Sequence, residues 1–438
     1  MRSVWSTLVL IVVLAGLVGY IYFVDANREP GEGDREQAFA SVTADDIEEV
    51  RITSADGDTS RLRKSDGTWQ LVEPVQAEAD ENEISSITSS LASLDIQRVV
   101  DENAGDLKQY GLEPPRIEVA FRSAGSTEER RILLGEKTPT GGDLYARLPE
   151  QPRVFLVSSF LDSTFNKNAF ALREKSVLKV DRDTVDAVEI VARDRTIRLT
   201  KSGTEWRLAQ PVAARADFAA VEGSLERLSS AQMQGIVAPD GGDLKQYMLD
   251  PPIATFTAVS GSSRASLLLG DTENALIYAK DASRPVVFTV APALYTDLIR
   301  DIAEYRRKDL FDARSFTVTR AEFQRGSEKI VLQKATGADG TDVWRNAEGK
   351  DVDSPKAEDL LSKLTALRAD SFDTGSNAAL KTPALTVNVQ FDEKKTEQVT
   401  LARSGADVVA SRSDDPGTAR LAASAFDEVL KAIDGMRQ

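Results

Sequence analysis

The stretch Asp106–Pro115 reads DLKQYGLEPP and returns almost unchanged at Asp243–Pro252 as DLKQYMLDPP. The two copies belong to a longer register. Trp69 and Trp206, Pro74 and Pro211, Asp80 and Asp217, and Leu91 and Leu228 keep the same offset as the decapeptides. Beyond them RILLGEKT (Arg131–Thr138) answers SLLLGDTE (Ser266–Glu273), and LYAR (Leu144–Arg147) answers IYAK (Ile277–Lys280). Ordered matches of this length mark an internal duplication.

A third copy is more diverged. Trp344 opens it, Asp353 precedes Leu364 as Asp80 precedes Leu91, and LKTPALTVNV (Leu380–Val389) stands where LEPPRIEVAF stands in the first copy. It lacks the Asp-Leu-Lys-Gln-Tyr lead and one proline, the pattern of a shortened terminal unit.

Each unit reads alike. IEEVRIT (47–53) and VDAVEIV (185–191) alternate apolar and polar residues, as half-buried strands do. Asp80 caps an amphipathic helix with Ile84, Ile87, Leu91 and Leu94 on one face. Asp217 caps the second, with Val221, Leu225 and Leu228 inward. Asp353 caps the third, with Leu360, Leu364 and Leu367 inward. RIEVAF, RRILLG, DLYARL and RVFLV follow as short strands, and LLGEKT reads as a strand ending in a glycine turn. The expected class is α+β: a transmembrane helix, then tandem modules of antiparallel sheet with packed helices.

In the decapeptide, Asp106 reads as the cap of one helical turn and Gly111 as its left-handed exit. Pro114 and Pro115 then impose an extended entry into the next strand. Tyr247, Pro251 and Pro252 are the second-copy counterparts. Met248 replaces the glycine, which predicts either a different turn or local strain. Tyr110 and Tyr247 are candidate ligand-facing aromatics, with a structural joint as the competing reading.

The first residues set an address. Val4–Val24 carries no charge and makes a helix of about 31 Å, matching a hydrocarbon core of about 30 Å. Arg2 and the amino terminus place the short end, residues 1–3, in the cytoplasm and the bulk of the chain outside. A cleaved signal peptide is the alternative, but Tyr20, Tyr22 and Phe23 suit an interfacial anchor better. Ala15 and Gly19 form a small-residue pair suited to packing against another membrane helix. The expected divisions are a span at 4–24, a flexible tether at 25–41, and modules at 42–178, 179–311 and 312–438.

The chain has 438 residues, with 54 basic and 70 acidic side chains and a net charge of -16, which disfavours nucleic acid as a partner. It contains no Cys and no His. That removes thiol nucleophiles, Ser-His-Asp chemistry and His-ligated zinc. LLGEKT lacks the glycine and lysine spacing of a phosphate loop, and DGGDL (Asp240–Leu244) lacks the alternating ligands of a calcium loop. The recurrent tryptophans read as core, and YRRKDLF (Tyr305–Phe311) as a connector between modules. No catalytic residue, cofactor or metal ligand is expected.

With these motifs the chain resembles bacterial domain-of-unknown-function family 4340, most clearly through Trp69, Pro74, Tyr110, Gly111, Leu112, Pro114, Pro115 and Gly135. The third module departs, with Ala402 where the glycine would stand. The resemblance implies a non-enzymatic accessory subunit at the bacterial inner membrane, mainly periplasmic. Its implied partners are ABC-2-type transporter subunits and the gliding-motility-associated auxiliary protein. An independent glycan- or lipid-binding module and a carboxylate-based hydrolase are the alternatives.

Overall fold

The computed structural model describes residues 36–437 except 194, 338–339 and 393. The chain divides into two compact units, one ending at Lys175 and the other starting at Ser176. The first unit holds a nine-stranded sheet; the second holds a nine-stranded and an eight-stranded sheet.

In the first unit the strands lie in the order Ala77–Glu78, Thr68–Glu73, Thr59–Ser65, Ile47–Thr53, Ile117–Ser123, Arg130–Lys137, Asp143–Arg147, Val154–Ser158 and Arg98–Asp101. All pairings are antiparallel. Two meanders therefore leave a shared centre in opposite directions. The helix Glu81–Ala92 follows the first meander, and the decapeptide carries the chain from the edge strand Arg98–Asp101 back to the centre.

The second sheet repeats this order around its central strands Ala187–Ala192 and Ala254–Ser260. The third, centred on Val318–Arg325 and Leu385–Phe391, lacks the outer two-residue strand. It also ends differently. Where the first two modules close with short helices, Phe160–Phe165 with Ala169–Leu172 and Pro292–Leu298 with Ile302–Tyr305, the third closes with one helix, Ala423–Gly435.

The long helices form where caps and apolar spacing coincide. Asp80 accepts from the backbone N–H groups of Asn82 and Glu83, Asp217 from Ala220, and Asp353 from Lys356. Each bond satisfies a donor that the first helical turn leaves free. The helices bury Ile84, Ile87 and Leu91; Val221, Leu225 and Leu228; and Leu360, Leu361 and Leu364. Each such side chain contributes about 1.5–3 kcal/mol relative to exposure. Leu94 and Leu367 lie beyond their helix ends but are also buried. Trp69, Trp206 and Trp344 are core residues in all three modules.

The expected α+β class with a transmembrane helix is corrected. The protein is mostly antiparallel sheet, 44% strand against 23% helix. The first two sheets each carry one long helix of 12 or 13 residues and the third carries two, so the strands dominate. Capped amphipathic helices announce themselves in sequence more strongly than two- to five-residue edge strands, which is why the sequence pointed to α+β. No described helix is long and apolar enough to cross a membrane. The expected span Val4–Val24, with Ala15 and Gly19, lies outside the described residues.

The tether expected over 25–41 is also revised within its described part. Glu36–Gln37 pairs with Asp95–Ile96, and Phe39 is buried edge-on against Phe121, their ring centroids 4.9 Å apart. A single aromatic in a polar stretch has no periodicity to reveal it; only the pocket beside Phe121 does.

Candidate functional site

In the first module, Asp106 accepts from the N–H of Lys108 at 3.0 Å and Lys108–Tyr110 winds into a single 3-10 turn. Gly111 ends it in the left-handed region at φ 67°. A Cβ there would come 2.7 Å from Cγ of Glu136, so glycine is favoured by space as well as by φ. The Glu113–Pro114 bond is cis, and Leu112 bridges to Pro115. The prolines thus sit in a tight reversal rather than the extended entry expected.

Tyr110 packs against Tyr145, ring centroids 5.0 Å apart and planes tilted by 55°. Its hydroxyl donates to Asp101 at 3.4 Å. Burial, then the neighbouring Asp101 carboxylate, raises the Tyr110 phenol above its ordinary range. Gly135 lies directly beneath this turn. A Cβ at 135 would overlap the carbonyl oxygen of Tyr110. Gly135 is therefore not in a terminal turn: it sits inside the strand Arg130–Lys137, where the pairing with the next strand shifts register.

The second module reproduces each part. Asp243 accepts from the Lys245 N–H, Asp250–Pro251 is cis, and Leu249 bridges to Pro252. Tyr247 and Tyr278 pack at 4.9 Å with a 60° tilt. Gly270 passes beneath the Tyr247 carbonyl, again at a register shift. A hydrogen bond to Glu273 pushes the Tyr278 phenol up to about 12. Met248 keeps the left-handed conformation at φ 53° and leaves its side chain 48% exposed. Of the two outcomes its sequence allowed, the strained one is realised. The usual cost for a residue with a Cβ is about 1–2 kcal/mol.

The third module has lost the parts together. Ala402 takes the place of the glycine, Val409 that of Tyr145 and Tyr278, and a turn Ala378–Lys381 capped by Asn377 replaces the tyrosine turn. The strand Lys395–Ser404 then pairs through Ala402 without a shift. Ala402 is itself buried there.

A second feature lies inside the second unit, between its two modules; of its residues the sequence marked only those in the connector YRRKDLF. Arg412 reaches Asp312 at 2.9 Å, Asp414 at 2.6 Å and Glu397 at 2.5 Å, and donates to the Leu310 carbonyl. Glu397 also accepts from the backbone N–H groups of Asp312 and Ala313. Arg215 bonds Asp312 at 2.8 Å, Asp415 at 3.4 Å and the Asp309 carbonyl at 2.7 Å. Arg306 reaches Asp415 at 3.2 Å and lies 3.9 Å from the ring centroid of Phe372.

The centre of the junction is dry: only 1% of the Glu397 side chain, 4% of Arg412 and 5% of Asp415 is exposed, whereas Asp312, at 28%, and Asp414 lie at its rim. Burial opposes ionisation of Asp312, but Arg215, Arg412 and Arg307 outweigh it and hold the carboxyl below its usual range. Arg306 is lowered by burial, with Asp415 opposing. Arg412 is raised by its carboxylate partners against burial. The connector YRRKDLF is thus clasped: Tyr305 is fully buried, and its hydroxyl bonds the Leu298 carbonyl at 3.0 Å. Beside the clasp a cleft of about 330 Å³ is lined by Trp206, Arg207, Phe218, Arg307 and Arg314 among others. Among the described residues no cluster of three or more acidic side chains is arranged to hold a metal.

Tandem sheet modules, a repeated tyrosine joint and a buried ionic junction define a modular antiparallel-sheet protein. The chain belongs to the family described as Domain of unknown function (DUF4340), whose model matches residues 69–205 and 206–386. Each match begins at the tryptophan strand of a module and runs into the sheet of the next. Comparison with curated proteins finds no match. Among solved structures, a protein named as a DNA polymerase III beta subunit from Eubacterium rectale is 8% identical, covering 88% of this chain and 92% of its own, at a TM-score of 0.17. A DNA polymerase sliding clamp from Pseudomonas aeruginosa is 10% identical over 89% and 93%, at 0.16. Scores this low carry no argument about fold or function.

Proposed function

We propose that the protein is a non-enzymatic scaffold subunit on the periplasmic side of the bacterial inner membrane, docking on an ABC-2-type transporter and its gliding-motility-associated auxiliary protein. The observation that carries the scaffold reading is the ionic junction. Arg215, Arg306, Arg412, Asp312, Glu397 and Asp415 are all committed to holding two modules in one arrangement. A protein whose role is to present surfaces at fixed positions needs such a joint. The absence of His and Cys from the sequence supports the same reading. The transporter as partner rests on the family resemblance.

Affinity purification of the full chain from native membranes tests this. Transporter subunits are expected in the eluate at a fixed ratio to the bait. Recovery of the chain alone, under conditions that preserve other membrane complexes, overturns the transporter assignment.

A further inference from the structure

A turn with a left-handed exit needs no pair of tyrosines, yet a pair stands at both joints, with carboxylates beside each. Tyr110 with Tyr145 and Tyr247 with Tyr278 have nearly the same separation and tilt. Asp101 and Asp106 flank the first pair, and Asp271 and Glu273 the second. Among the described residues none of these four carboxylates makes an ion pair with a cation.

Two nearby cations are engaged elsewhere. Lys137 reaches Asp162 at 3.0 Å, and the Lys280 ammonium donates to the Asp281 and Arg284 carbonyls. The cation–π contacts among the described residues use Phe and Trp rings, never these tyrosines. The phenols of Tyr110 and Tyr278 are both raised with carboxylates among the causes, so the local potential is negative. Met248 adds an exposed apolar side chain beside the second pair, in a backbone conformation that disfavours it.

We propose that each tyrosine pair, with its carboxylates, is a recognition box for a Lys or Arg side chain on a basic segment of a partner protein. The negative ring faces attract a cation, and unpaired carboxylates supply the opposite charge. Met248 gives the stem of such a side chain an apolar surface to lie on. The third module lacks both tyrosines and is expected to lack the box. This inference goes beyond the transporter reading and stands or falls apart from it, because it concerns what each module binds.

The test uses the full chain with its eight tyrosines replaced by 3-fluorotyrosine, titrated with acetyl-Gly-Arg-Gly-amide and followed by 19F NMR. Saturable shifts are expected at Tyr110, Tyr145, Tyr247 and Tyr278. Glu273→Lys is expected to weaken binding at the second box roughly ten-fold while sparing the first, and Asp101→Lys the reverse. Asp56→Lys, on an exposed turn that is part of neither box, leaves both unchanged. Glu273→Gln serves as the milder variant should the reversal unfold the chain. Absence of saturable shifts overturns the proposal, as do equal binding of acetyl-Gly-Gly-Gly-amide and equal loss in Asp56→Lys. Stronger shifts with phosphatidylcholine vesicles than with the peptide would overturn a protein partner in favour of a choline headgroup.

Discussion

The tyrosine joint and the ionic junction both fix the path of the chain, but with opposite materials. The joint is local: a ten-residue segment turns over one glycine on a neighbouring strand. The junction is long-range, with Arg215 and Asp415 paired across 200 positions. A local joint can be discarded whole, as the third module has done, because its parts depend mainly on one another. The junction has no such freedom. Its central charges are buried, so removing one leaves a partner uncompensated in a medium that cannot solvate it.

That contrast predicts an order of sensitivities. Arg412→Ala leaves Glu397 buried without its cation, held only by the backbone N–H groups of Asp312 and Ala313, and should cost about 3–5 kcal/mol in urea denaturation of the second unit's transition. A loss under about 1 kcal/mol would show that water enters the junction and that it is no rigid clasp. Gly135→Ala and Gly270→Ala drive a methyl into a backbone carbonyl and should cost about 1–3 kcal/mol each. Ala402→Gly, at the matching position without a tyrosine above it, should cost only about 0.5–1 kcal/mol, from added chain entropy. Equal penalties at Ala402 and Gly270 would erase the distinction between the modules.

Met248→Gly should raise stability by up to about 1 kcal/mol, because relief of left-handed strain exceeds the entropy glycine adds. A decrease would mean that the exposed methionine contributes contacts within its own module.

The smallest effect is on pH. The Asp312 carboxyl is held below its unfolded value, so its contribution is present above the ordinary carboxylate pKa of about 3.9. It is lost as pH falls through the folded value. The acid limb of stability should therefore be shallower in Asp312→Asn than in the parent below about pH 4, with the two curves parallel near neutrality.

Legibility followed the same division. The decapeptide declared itself because it was written twice. Its Asp cap and glycine exit follow from local backbone preferences, and Met248 announced its strain by replacing that glycine. Gly135 was misread as a turn residue, since the carbonyl pressing on it comes from a different segment. The junction left no trace beyond the connector YRRKDLF, which carries its Arg306. In a chain that is 28% charged, six more charged residues at scattered positions carry no pattern. Only their convergence in space and their exclusion from water distinguish them.

By itself, then, the sequence determined the repeated units, their capped helices and tryptophan core, and the local turn at each joint. These depend on spacings of a few residues and on φ preferences, which a linear string records. Tertiary structure decided how much of the chain is sheet, why Gly135 and Gly270 have no side chain, and how Arg412 finds Glu397. Those depend on which distant groups share a space from which water is excluded, and that property exists only once the chain has folded.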